Sequence, residues 1–225
     1  AKRYYQPERG DVLLNPHDAR GLDWSPLAEM RGEWDADSLS KSMIPDKDGD
    51  NEWQHYSQTL LAAVLQRLFE SGTGTNGDIV RFCTVATNKE LEGLVRGLPA
   101  QALFDEGASR MLASIRGIVA TYLKPLAWCN PAAGESAFSI RRHIQDEVRG
   151  WVFLTVREDQ LASLKPLIAA QVDIAINALL TMPPSDTRRV WFFLDEFASF
   201  GRIQGIEPLL TKARKYGGIG VLGMQ

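Results

Sequence analysis

Two adjacent acids close an apolar run at Val190-Trp191-Phe192-Phe193-Leu194-Asp195-Glu196. A buried strand does not ordinarily end in paired carboxylates, and in open α/β sheets ligands sit outside the carboxyl ends of the strands. At such an end Asp195 could hold Mg²⁺, directly or through water, because Mg²⁺ takes one or two carboxylates and completes its shell with phosphate oxygens. Glu196 could then polarise the water that attacks a γ-phosphate. The same pair could instead simply end a strand at solvent, with Glu196 capping the next turn. A second apolar run, Ile219 to Gly223, is followed by Met224 and Gln225. On a neighbouring strand Gln225 could orient that water or sense the phosphate, or be an ordinary polar residue after a strand. Between the two runs stand Lys212, Arg214 and Lys215 at the end of a helical stretch, where cations suit the helix dipole. Arg214 could alternatively reach a neighbouring subunit's nucleotide as an arginine finger, stabilising transition-state charge.

Other motifs carry less. Gly72-Thr73-Gly74-Thr75-Asn76-Gly77 matches G-x-G-x-x-G, but that fingerprint needs a strand before it and here a long helix precedes it. No G-x-x-x-x-G-K-[ST] phosphate loop occurs in the sequence, so the sequence alone predicts an incomplete ATPase. His17, His55 and His143 are scattered and form no metal set. Trp24, Trp53, Trp128, Trp151 and Trp191 could stack on DNA bases, with core packing the expected job for most of them. Arg141-Arg142-His143 and Arg188-Arg189 could touch phosphates, with solvated surface as the expected reading.

The elements that must position these residues fall into zones. Asp11 to Pro16 reads as a small strand ended by Asn-Pro. From about Asp23 to Ser136 the pattern is helical. Ser25-Pro26 offers an N-cap with proline at the first helical position, a helix covers Asp35 to Met43, and Trp53 to Phe69 carries Leu60, Leu61, Val64, Leu65 and Leu68 on one face. Ile79 to Val85 is β-branched in part, but its helical surroundings predict helix. Lys89 to Arg96 and Ala108 to Trp128 follow, the latter kinked or shortened by Pro125. Then the period changes. Trp151 to Val156 and Val190 to Leu194 are near-continuous apolar strands, Ala162 to Leu180 and Ile206 to Tyr216 are helices, and Ile219 to Gly223 is a further strand. Apolar strands alternating with helices predict a parallel sheet buried on both faces.

Composition bounds the rest. The 225 residues are 44% hydrophobic and 24% charged, near globular averages, which excludes a disordered tail, a fibre or a coiled-coil rod. The net charge of −3 advertises no nucleic acid by itself, so DNA contacts would come from local patches. Two cysteines are too few for a disulfide scaffold and fit a reducing compartment. The longest apolar stretch, Leu161 to Leu180, contains Lys165, Pro166, Gln171 and Asp173, which argues against a membrane span. A start without Met and an abrupt end at Gln225 suggest a piece of a longer protein.

The run Arg188 to Ser199, together with Thr211 to Gly218 and Val221 to Gln225, resembles the Walker B region and the motif that follows it in the type IV secretion coupling proteins, the TraD/TrwB group of conjugative DNA pumps. Phe138-Ser139-Ile140-Arg141, Arg157-Glu158-Asp159, Leu164 to Ile168 and Leu14-Asn15-Pro16 with Asp18 are also similar. The resemblance implies an α/β fold, a partial RecA-like (P-loop NTPase) parallel sheet over 1–22 and 137–225, interrupted by an inserted all-α domain over 23–136. It implies ATP and Mg²⁺ as cofactors, with Asp195 and Glu196 as Walker B acids, Arg214 as the trans arginine finger and Gln225 as a sensor-like glutamine. It further implies a homohexamer on the cytoplasmic face of the bacterial inner membrane, anchored by transmembrane segments outside this sequence. That ring would link a relaxase-bearing relaxosome to the type IV secretion channel and pump single-stranded DNA. A RecA-like motor for protein cargo, and an inert adaptor that docks relaxosome or secretion substrates, are the alternative readings.

Overall fold

The computed structural model describes residues 4–105, 108–195 and 203–223. Two short parallel strand pairs organise the chain. β1 (Val12–Leu14) pairs with β2 (Val152–Leu154), and β3 (Val190–Leu194) pairs with β4 (Gly218–Leu222) in the register Val190 to Gly218 through Leu194 to Leu222. Parallel strands need a long crossover. The β1-to-β2 crossover is the whole helical stretch, and the β3-to-β4 crossover is the short helix α8 (Ile206–Thr211) with a 3₁₀ turn over Ala213–Tyr216.

The helical stretch contains α1 (Asp35–Met43), α2 (Glu52–Glu70), α3 (Asn76–Val80), α4 (Asn88–Val95) and α5 (Ser109–Leu123). α2 is its axis: Leu60, Leu61, Val64 and Leu65 are fully buried, each worth roughly 1.5–3 kcal/mol of burial. The expected helix over Ile79 to Val85 is present in two pieces, the end of α3 and a π-helical turn at Arg81–Val85. The wide turn is held by Arg116, which donates to the carbonyls of Cys83 and Ala86 at 3.2 and 2.7 Å. Within the glycine-rich run, Thr75 caps α3 through a reciprocal bond with Asp78, so those glycines serve a helix start. Proline acts as expected at Pro125, where α5 gives way to a 3₁₀ turn, Lys124–Trp128. Parallel bridging of Trp24 with Phe138 brings the two ends of the helical stretch together.

α6 (Ile140–Gln145) precedes β2, and α7 (Glu158–Leu180) joins β2 to β3. α7 is long and apolar enough to cross a membrane by length and composition, with mean hydropathy 1.3, but 67% of that window is buried inside the fold. It is a core helix, packed on α1, α5 and α6. The strands depart from the expectation of burial on both faces. Phe192 is buried, whereas Trp191 and Phe193, alternating with it, are 47% and 57% exposed. Among the described residues only the Phe192 face of β3 is buried, since side chains of a strand alternate between faces.

Candidate functional site

The C-terminal ends of β3 and β4 lie level, because the Gly223 N–H donates to the Leu194 carbonyl at 2.9 Å. Asp195, directly after β3, is exposed at that edge. A carboxylate so placed has the geometry expected of a Mg²⁺ ligand at a strand end. Among the described residues no three His, Cys, Asp or Glu side chains gather into a metal-binding group. Glu196 and Gln225 lie outside the described residues.

Arg214 is placed at the other end of the strand pair. It sits in the 3₁₀ turn before β4, and that turn packs on the turn leading into β3: Ser185 N–H donates to the Lys215 carbonyl at 3.1 Å and Val190 N–H to the Gly217 carbonyl at 2.9 Å. Gly217 closes the turn with φ 84°, and a Cβ there would lie 2.4 Å from the Arg188 carbonyl oxygen, so only glycine fits. Asp195 and Arg214 thus flank a strand whose length is roughly 13–17 Å at about 3.3 Å per residue. Arg214, Lys212 and Lys215 are all exposed.

The start of α8, at Gly205, is held by a carboxylate that composition and spacing did not single out. Asp173, on α7 and 3% exposed, accepts from the Gly205 N–H that opens α8 at 2.6 Å, from the Ser42 hydroxyl of α1 and from Asn177 Nδ2 at 3.1 Å. Burial pushes its pKa up, and the three donors partly offset that. A buried acid in the middle of an apolar helix is the one signal that could have marked it in the sequence.

Several expectations change on inspection. Arg141 and His143 are buried, not solvated; the Arg141 Nε–H donates to the Glu29 carbonyl at 2.9 Å. Arg188 holds a turn, donating to Glu147 Oε1 and to the Pro183 carbonyl, both at 2.9 Å. Core packing describes Trp24, but Trp53, Trp151 and Trp191 are exposed. Trp191 stacks on Phe193 with ring centroids 5.8 Å apart, and Trp151 lies 5.6 Å from the same ring. A polar cavity of about 450 Å³ opens beyond β1, lined by Asp18, Asp23, Trp128, Asn130 and Gln171 among others; it contains neither Asp195 nor Arg214.

Comparison with known proteins gives the family. The family described as type IV secretion-system coupling protein DNA-binding domain matches residues 1–225. The chain is 32% identical over 231 residues to coupling protein TraD of Escherichia coli strain K12, covering 100% of this chain and 32% of TraD. It superposes on plasmid coupling protein TrwB in complex with ADP and Mg²⁺ with a TM-score of 0.87 and 34% identity, covering 96% of this chain and 52% of that one. The TrwB complex with a non-hydrolysable ATP analogue gives the same TM-score, identity and coverage. The likeness is consistent with a partial RecA-like fold with an all-α part. The chain spans about a third of the length of the curated relatives it matches and about half that of the solved structures.

Proposed function

The chain belongs to the type IV secretion-system coupling protein family, and on that premise we propose that it is a middle part of an ATP-driven motor that moves single-stranded DNA in conjugation. The observation that carries this reading is Asp195, exposed at the level C-terminal ends of β3 and β4, in a chain similar at 34% identity to a protein solved with ADP and Mg²⁺.

In this reading residues 1–22 and 137–225 form part of the nucleotide-binding domain and 23–136 the inserted all-α domain. Asp195 would hold Mg²⁺, directly or through water, and the ion would supply positive charge to the bound phosphates. Glu196 takes a proton from the attacking water, Gln225 orients that water, and Arg214 serves the site of the next subunit. Water adds in line to the γ-phosphorus as the bond to the ADP oxygen breaks. The phosphate loop is supplied by a part of the protein outside this sequence. The motor works as a homohexamer at the cytoplasmic face of the inner membrane, between the relaxase-bearing relaxosome and the secretion channel, and this chain alone turns over no ATP. Its DNA contacts are to the backbone, so affinity falls steeply with salt.

The test is ATP turnover by the full-length protein. Glu196→Gln should lower turnover by about 10²-fold or more while nucleotide still binds, and Asp195→Asn should weaken the Mg²⁺ dependence of binding. Turnover unchanged in both variants would overturn the assignment.

A further inference from the structure

The polar cavity beyond β1 is walled by the loop that follows β1, by both ends of the helical stretch and by α7. We infer that it is a binding site for a guanidinium group, carried by a small molecule or by an arginine side chain. Neither Asp195 nor Arg214 lines it, so the site stands apart from the nucleotide reading above.

Gln171 carries the inference. This α7 residue lines the cavity and is 3% exposed, yet its side-chain amide makes no hydrogen bond among the described residues. A buried amide without a partner is costly, and an apolar side chain of the same shape would avoid that cost. Stability therefore does not account for it. The space it faces, about 450 Å³, is far more than the roughly 30 Å³ of a single bridging water. It falls within the range of roughly 300–1,000 Å³ typical of ligand pockets. The walls are also fixed in advance. Buried Asn76 donates through Nδ2 to the Trp24 carbonyl at 2.8 Å and to the Asn130 carbonyl at 3.2 Å, which ties together two segments that line the cavity. A ligand entering a preorganised site has less ordering to offset.

Charge selects a cation. Asp18 and Asp23 line the cavity, and no Lys, Arg or His does. Asp18 is already answered by Arg20, which donates through Nε at 2.9 Å and Nη2 at 2.6 Å. Exposed Asp23 makes no ion pair among the described residues, and its Oδ2 accepts from the neutral Asn130 amide at 2.7 Å. An aromatic wall is supplied by half-buried Trp128, whose ring lies 5.3 Å from that of His17. A guanidinium matches this set. It is planar and stacks on an indole, it keeps its charge at neutral pH, and its five donors suffice for a carboxylate and an amide oxygen together. An ammonium lacks the plane, and the phosphate of a nucleotide would be repelled by the two acids.

The experiment is calorimetric titration of the full-length protein with arginine amide, acetyl-glycyl-arginyl-glycine amide, lysine amide, citrulline amide and adenosine. Citrulline keeps the shape of arginine without its charge. Arginine amide and the tripeptide should bind, lysine amide should bind about tenfold more weakly or worse, and citrulline amide should show no measurable binding. Arginine amide should bind about tenfold more weakly to Asp23→Asn, and likewise to Gln171→Met, which keeps the side chain's length without its amide. Asp23 is exposed, so Asp23→Asn tests the site even if Gln171→Met fails to fold. A tripeptide that binds about tenfold more tightly than arginine amide makes a polypeptide arginine the ligand; equal affinities make it a small molecule. No binding of arginine amide to the wild type at millimolar concentration would overturn the inference. So would affinity unchanged in Asp23→Asn, or lysine or citrulline amide binding as tightly as arginine amide. Adenosine binding that Gln171→Met abolishes would also overturn it, because the amide would then be reading a base edge.

Discussion

The carboxylate of Glu29 accepts a hydrogen bond from the Ser139 hydroxyl at 3.0 Å, across 110 residues of chain. It also accepts from Trp24 Nε1 at 2.8 Å and from the backbone N–H groups of Ile140 and Arg141 at 2.8 and 2.9 Å. The acid is fully buried and faces the first N–H groups of α6, which a carboxylate satisfies well. Four donors from both ends of the helical stretch therefore converge on one side chain. Glu29→Ala should cost about 3–5 kcal/mol, because it strands buried donors beside buried Arg141. Thermal melting checks this: the midpoint should fall by roughly 10 °C, and a shift within 2 °C of wild type would show that the clasp is dispensable.

This clasp marks where the sequence was legible and where it was not. Periodicity is a local signal, so α2, the Pro125 break and the apolar strands could be read from neighbours in the chain. Glu29 and Arg141 look like ordinary surface charges in sequence, because they bond to each other across 112 residues; Asp173 stands out only as an acid in an apolar helix, and two of its partners, Gly205 and Ser42, lie 32 and 131 residues away. Asp195 was legible because an acid after four bulky apolar residues breaks the local pattern. Exposure of Trp191 and Phe193 was not, since an all-apolar strand reads as buried whether or not a second layer covers it.

Asp11 links the start of β1 to β2. Its carboxylate accepts from Arg9, from the Gln6 N–H at 2.9 Å and from the Trp151 N–H at 2.9 Å. The Arg9 bond, aided by the two backbone N–H groups, lowers its pKa from 3.8 to about 2. A group depressed in the folded state contributes stability above its unfolded value and loses it as pH falls through the folded one. The contribution should thus be complete above about pH 5 and decline towards pH 2. Asp11→Asn should be less stable than wild type at pH 6, and the gap should narrow at pH 2.5. Denaturant midpoints at the two pH values check it; a gap independent of pH would exclude the ionised carboxylate as the cause.

Cys83 and Cys129 are both buried. Burial pushes each thiol up to about 12, against a slight opposing pull from Arg116 at Cys83 and with a small push from Asp23 at Cys129. The thiolate is the reactive form, so neither should react with a disulfide reagent at pH 8 while the chain is folded. Both should react in denaturant. Rapid labelling of either in the native protein, read by mass spectrometry, would contradict this packing.

Arg214 and Asp195 stand at opposite ends of the β3–β4 pair, so within one chain the strand's length separates them. If Arg214 acts in catalysis, it acts on another subunit's nucleotide. Arg214→Ala should then lower turnover of the full-length protein by about 10³-fold or more, with nucleotide affinity largely kept. Mixing decides between a role in trans and a structural one. Rings assembled from Arg214→Ala and Glu196→Gln subunits contain some interfaces where an intact Glu196 meets an intact Arg214. Such mixtures should recover activity that neither variant has alone. A structural role for Arg214 predicts no recovery at any ratio, because every Arg214→Ala subunit would carry its defect into the ring.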